Sequence, residues 1–257
     1  MLLAGEVMEI QEIIGRGLGW ALSPWVFFAS LIRGDRLFHP DGVVYRAEVR
    51  PLAKEDPLGE LAQRLAGTAL VRLTGGLWSW PAGKDRPDVL GIAVRFRATK
   101  DLTPSLLPGD QDLLFATADS LPGLAIAPLR TDTGDFLNNQ YSALLPFSLA
   151  GVGDVYLRLV PQQRSPEGGD RHQRLDRAVQ QGSASLQLQL RVGEVGEAWI
   201  PIVMIRLRER LAIDQDLLIF DPGTSAMGLE PSGMLQSMRP PLYAASQLGW
   251  QLRRGPR

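Results

Sequence analysis

Arg239 and Tyr243 stand four positions apart in Glu230-Pro231-Ser232-Gly233-Met234-Leu235-Gln236-Ser237-Met238-Arg239-Pro240-Pro241-Leu242-Tyr243. On a helix, residues i and i+4 share one face. A guanidinium held against a phenol oxygen favours its ionised form, because a nearby positive charge lowers the phenol pKa. An ionised tyrosine is a hard, anionic ligand of the kind that holds ferric iron in a porphyrin. The plain alternative is a half-buried aromatic beside a surface charge. A second group capable of chemistry lies near the other end, His39 in Arg36-Leu37-Phe38-His39-Pro40-Asp41-Gly42. It sits at an expected helix-to-strand junction, where positioned groups often lie. An imidazole there can take up a proton and return it near neutral pH.

The elements that must position these groups follow from the periodicity. Residues 1–35 read as a helical segment packed on the body, with Val7, Ile10, Ile13 and Ile14 at helical spacing. From Gly42 the period becomes two, Val43, Tyr45, Ala47 and Val49 alternating with Val44, Arg46, Glu48 and Arg50. A short helix is expected over Pro57–Gly67, where Leu58, Leu61, Ala62 and Leu65 keep helical spacing. Strands are expected over Ala69–Thr74, Gly91–Arg97, Asp112–Thr117, Ala143–Phe147, Val155–Pro161, Ser185–Val192 and Ile200–Arg208. About eight short strands with helices at both ends predict an α+β fold built on an antiparallel barrel. The polar stretch Gln162–Arg174, with Pro166, Gly168 and Gly169, reads as an exposed loop, and its His172 as a solvated side chain without a function. Residues 36–257 are expected to form one compact barrel domain.

Composition removes several classes of chemistry. The chain has 257 residues, a formal net charge of -1, no cysteine and two histidines. Disulfide scaffolds, thiol catalysis, iron–sulfur clusters and histidine-rich metal cages are excluded. No basic field is present to hold nucleic acid. The lack of cysteine fits a reducing compartment, and a cytoplasmic location is expected. The apolar run Gly17–Ile32 is short for a bilayer span and is broken by Pro24. No stable span is expected, and peripheral membrane contact through Trp20, Trp25, Phe27 and Phe28 is a minor option.

Arg36-x-x-His39-x-x-Gly42 at the head of a strand resembles the haem catalases and their shorter relatives, which carry Arg-x-x-His-Ala-x-Gly there. The resemblance continues in order. Val71-Arg72-Leu73-Thr74 is similar to the family's Val-Arg-Phe-Ser strand, and Gly91-Ile92-Ala93-Val94-Arg95-Phe96 to its Gly-Phe/Met-Ala-Val-Lys-Phe strand. Asp112-Leu113-Leu114 resembles its Asp-Leu-Val, and Tyr156-Leu157-Arg158-Leu159-Val160-Pro161 its Tyr-x-Arg-x-x-Pro. Phe220-Asp221-Pro222, Gly228-Leu229-Glu230-Pro231-Ser232 and Arg239-x-x-x-Tyr243 resemble its proximal region. The ordered set runs from about residue 33 to 254 and suits small catalase-related proteins without the C-terminal helical domain.

That resemblance implies haem b, with Tyr243 as axial iron ligand and Arg239 holding it as phenolate. It implies His39 as distal acid and base, Thr74 in place of the family's serine bonding the histidine ring, and Arg36 and Arg72 on the propionates. It also exposes departures. Pro40 replaces an alanine, Ala116 stands where the family places a distal asparagine, and Trp250 stands where it places an arginine. One extra residue lies between Met234 and Arg239, and the proximal helix is expected to start near Pro240. The loss of the distal amide implies a peroxidase using an organic co-substrate or organic peroxide, rather than an efficient catalase. The implied partners are a small peroxide and a reducing co-substrate, and a homo-oligomer is left open. The alternatives are a haem carrier or sensor without turnover and a haem-free barrel acting as an interaction module. A hydroperoxide isomerase is a lesser option that the resemblance implies, and a hydrolase has little behind it, since no G-x-S-x-G elbow or Walker loop is present.

Overall fold

The structure is a computed structural model, described for residues 42–76, 87–120, 123, 126–193, 198–214, 217–221 and 223–232. Almost all of these belong to one compact unit, Asp41–Pro231. The helical segment expected over 1–35 and the proximal helix expected from Pro240 lie outside the described residues.

Among the described residues, ten strands form one antiparallel sheet: β1 (Gly42–Pro51), β2 (Gly67–Gly75), β3 (Leu90–Arg97), β4 (Gln111–Ala116), β5 (Tyr141–Ser142), β6 (Phe147–Leu149), β7 (Gly153–Pro161), β8 (Ser185–Val192), β9 (Ile200–Leu211) and β10 (Leu229–Pro231). The order β5-β4-β3-β2-β1-β9-β8 is closed by pairings of β7 with both β5 and β8, giving an eight-stranded barrel. β6 continues along the same edge of β7, and β10 pairs outside it. Closure leaves the ring without a free edge.

The alternation that marks the strands also divides the wall into two faces. Val43, Tyr45, Ala47 and Val49 of β1 join Ala69, Val71 and Leu73 of β2, Ile92, Val94 and Phe96 of β3 and Leu113 and Phe115 of β4 in the buried interior. The opposite face of β1–β4 is also partly apolar. Val44 and Leu70 pack there with Leu218 and Phe220, flanked by Ala93, Leu114, Leu211 and Ile213.

Among the described residues, three short α-helices accompany the barrel: α1 (Leu58–Leu65), α2 (Ala127–Arg130) and α3 (Arg171–Gln180). α1 lies within the expected Pro57–Gly67 and buries Leu61, Ala62 and Leu65 in the interior core. α3 corrects the expected loop. Asp170 accepts from the backbone N–H groups of His172 and Gln173, and the Gln173 side chain accepts in return from the Asp170 N–H, a reciprocal capping box. Leu175 and Ala178 enter the core, and Asp176 ties the helix to the barrel. It accepts the Tyr45 hydroxyl at 2.5 Å and an Arg210 guanidinium N–H at 2.9 Å.

One strand falls elsewhere than expected. The run 143–146 is not strand; pairing occurs on either side of it, in β5 and β6. Pro146 has no N–H to give a ladder, which breaks the run.

Candidate functional site

Arg72 and Thr74 are two residues apart on β2 and share a face. That face is the outer one, because the residues around them, Val71 and Leu73, belong to the interior core. Both are buried, Arg72 at 8% and Thr74 at 3% exposure. The cross-strand register defines their neighbours. Thr74 lies between Gly42 of β1 and Gly91 of β3; Gly91 pairs with Ala116 of β4, and Ala116 with Ser142 of β5. The next row on the same face is Val44, Arg72, Ala93 and Leu114. Strands are about 4.8 Å apart, so the row Gly42–Thr74–Gly91–Ala116–Ser142 floors a stretch of wall with small side chains, carrying a hydroxyl at Thr74 and another at Ser142. Arg72 is the cation beside it.

A third row, Arg46, Leu70, Arg95 and Asp112, anchors this face. Arg95 binds Asp112 through two parallel N–H···O bonds, Nε to Oδ1 at 2.8 Å and Nη2 to Oδ2 at 2.7 Å, with both side chains fully buried. Two of its three remaining N–H groups donate to the carbonyls of Pro104 at 2.6 Å and Ile219 at 2.5 Å. Asp112 Oδ2 also accepts from the Asp221 N–H at 2.8 Å, and the Asp112 N–H donates to Thr224 Oγ1 at 2.7 Å. Phe220 lies under the guanidinium, its ring centroid 5.1 Å from Cζ. The pair thus clamps the segment around Ile219–Thr224 against the outer wall. A second buried pair, Arg97 with Asp110 at 2.8 Å, follows on the same side.

Of the residues that the sequence singles out, Arg72 and Thr74 are brought onto one face. Arg36, His39, Arg239 and Tyr243 lie outside the described residues, as does Trp250. Ala116 occupies the same row as Thr74, two strands away, so the position expected to carry an amide presents a methyl group to that row. Asp119 is exposed. His172 is not a solvated loop histidine: it lies in α3, half-buried, with its ring edge-on to Phe136 at 5.5 Å. Phe136 also lies under the Arg171 guanidinium at 5.2 Å. The capping residue Asp170 and the helical spacing of Leu175, Ala178 and Val179 were the signal that reveals α3.

Other features are structural or lie elsewhere. An open hollow of about 700 Å³ is lined by Pro51, Lys54, Asp56, Glu60 and Arg64, at the end of β1 opposite Gly42. Burial, then the bond to Asp176, pushes the Tyr45 hydroxyl well above its ordinary pKa, and burial does the same for Tyr141. Neither is a candidate phenolate. Among the described residues, no group of three or more histidines, cysteines or carboxylates could hold a metal ion, and no helix is long and apolar enough to cross a membrane. No protein-family model and no curated protein matches the chain.

Proposed function

We propose that the chain is a haem-dependent oxidoreductase that handles peroxides, a peroxidase built on a catalase-like barrel. The observation that carries this reading is the outer wall: a floor of Gly42, Thr74, Gly91 and Ala116 with the buried cation Arg72 in the adjoining row. A flat macrocycle needs a face without bulky side chains, and its anionic propionates need a cation at its rim. Val44, Ala93 and Leu114 beside Arg72 supply the apolar surroundings.

On the resemblance, Tyr243 would hold the iron and Arg239 would keep the phenol oxygen ionised. Arg36 and Arg72 would bind the propionates. When bound, haem supplies the redox chemistry that splits the peroxide O–O bond. The chain's own work is protonic. An imidazole nitrogen of His39 takes the proton from the incoming peroxide and returns it to the departing oxygen. On the same resemblance, Thr74 Oγ1 would bond the other ring nitrogen and fix the tautomer. The methyl group at Ala116 leaves peroxide without an amide at that point, which favours an organic peroxide or an organic reductant over rapid disproportionation of hydrogen peroxide. The same methyl favours a second reading, a haem carrier or sensor without turnover.

Titration of the protein with hemin, read in the visible spectrum, tests the carrying observation. Saturable uptake is expected in the wild type. Arg72→Gln is expected to weaken it roughly 10- to 100-fold through loss of a charge-assisted contact, and Ala116→Leu to weaken it by filling the floor. Uptake unchanged in both variants would remove the outer wall from the reading.

A further inference from the structure

A separate hollow of about 120 Å³ lies at the edge of this wall, lined by Thr117, Asp119, Arg130, Gln140 and Ser142 with Ile126 and Ala127. Its hydrogen-bonding capacity can be accounted for atom by atom. The Thr131 hydroxyl donates to the Ala127 carbonyl at 2.8 Å, so in the 2.7 Å contact between the two threonines Thr117 is the donor. Thr117 Oγ1 also accepts from the Leu90 N–H at 3.0 Å. Thr117 is therefore used structurally. Gln140 Oε1 accepts from Arg158 Nη1 at 3.2 Å, which leaves its amide N–H₂ as the group it can offer. Ser142 adds a hydroxyl and Arg130 a guanidinium. Three donors thus line one small cavity.

Arg95 pairs with Asp112, Arg97 with Asp110, Arg208 with Glu48 and Arg210 with Asp176. Among the described residues, no ion pair includes Arg130, Arg158 or Arg191, and the same holds of Arg64, Arg177 and Arg206. Arg158, opposite Ser142 on β7, and Arg191 both stack on Trp199, at 4.1 and 4.9 Å from ring centroids. Burial first, and then the charge of Arg191, lower the Arg158 pKa from its ordinary value. What lines the hollow itself is one guanidinium, Arg130, with the Gln140 amide and the Ser142 hydroxyl, a donor set that favours an acceptor-rich anion.

We infer that this hollow is a binding site for a small organic monocarboxylate, its carboxylate held by Arg130, the Gln140 amide and the Ser142 hydroxyl, and its body against Ile126 and Ala127. The Asp119 carboxylate at the lining repels any anion, a dianion more than a monoanion. The site goes beyond the porphyrin reading and does not depend on it; should that reading hold, the carboxylate substrate would sit one strand beyond Ala116.

Saturation-transfer NMR with benzoate on the full chain, without haem or peroxide, tests the site. A saturable benzoate signal is expected, with none for the neutral analogue benzyl alcohol. Arg130→Gln and Ser142→Val should each weaken benzoate binding about tenfold, and the exposed Arg206→Gln should leave it unchanged. Circular dichroism confirms each fold, and Gln140→Met, at an exposed position, replaces Ser142→Val if that variant does not fold. No saturable signal, equal binding by benzyl alcohol, full binding in Arg130→Gln, or an equal loss in Arg206→Gln would overturn the inference.

Discussion

Removing one partner of the Arg95–Asp112 pair is the sharpest structural perturbation this barrel offers. In Asp112→Ala the Arg95 guanidinium keeps its bonds to the Pro104 and Ile219 carbonyls but loses both carboxylate bonds while remaining fully buried. The Asp221 N–H loses its acceptor in the same step. Leaving a buried charge uncompensated costs about 3–5 kcal/mol, a large part of the 5–15 kcal/mol typical of a domain. The double variant Arg95→Met/Asp112→Leu removes both charges and fills the space with apolar atoms. It is expected to lie well above the sum of the single losses, with a coupling of roughly 2 kcal/mol or more. Urea unfolding followed by tryptophan fluorescence reads each value, and the slope checks that the unfolded states are comparable. A loss under about 1 kcal/mol in Asp112→Ala, or additive losses in the double variant, would refute the view that this pair clamps the Ile219–Thr224 segment to the wall.

Further outcomes can be measured on the same protein. Glu48 accepts from Arg208 and Arg50, and these bonds hold its carboxyl below the ordinary value of 4.5. Its contribution is therefore present above about pH 4.5 and fades as the pH falls through the depressed value. Glu48→Gln should cost less than about 1 kcal/mol at neutral pH, since the network is solvent-exposed, and the difference from wild type should vanish in acid. Asp170→Ala should cost about 1 kcal/mol through loss of the α3 cap, read as a lower thermal midpoint. In an alkaline absorbance titration, Tyr45 and Tyr141 should not ionise before the barrel unfolds; early ionisation of all four tyrosines would contradict their burial.

Much of the barrel is legible in local patterns. Alternation in Gly42–Pro51 separates Tyr45 from Arg46, and the spacing of Leu58, Leu61 and Leu65 gives α1. The same alternation already puts Arg72 and Thr74 on one face. Other features depend on contacts distant in sequence. The row joining Thr74 to Ser142 is set by pairings through β3 and β4, which no local pattern encodes. The Arg95 clamp requires a segment more than a hundred residues away. Gly168 and Gly169 resemble loop punctuation and mask α3, although Asp170 just after them is a strong cap. The apolar run 143–147 imitates a single strand, and its pairing is ended by Pro146.

The central claim is that a tyrosinate from the chain's last segment holds a porphyrin iron. The visible spectrum of the haem-reconstituted full chain, compared with Tyr243→Phe, tests it most directly. The account predicts a ferric tyrosinate spectrum in the wild type that is lost in Tyr243→Phe while the barrel remains folded. A wild type that takes up no haem, or an identical haem spectrum in both proteins, would contradict it.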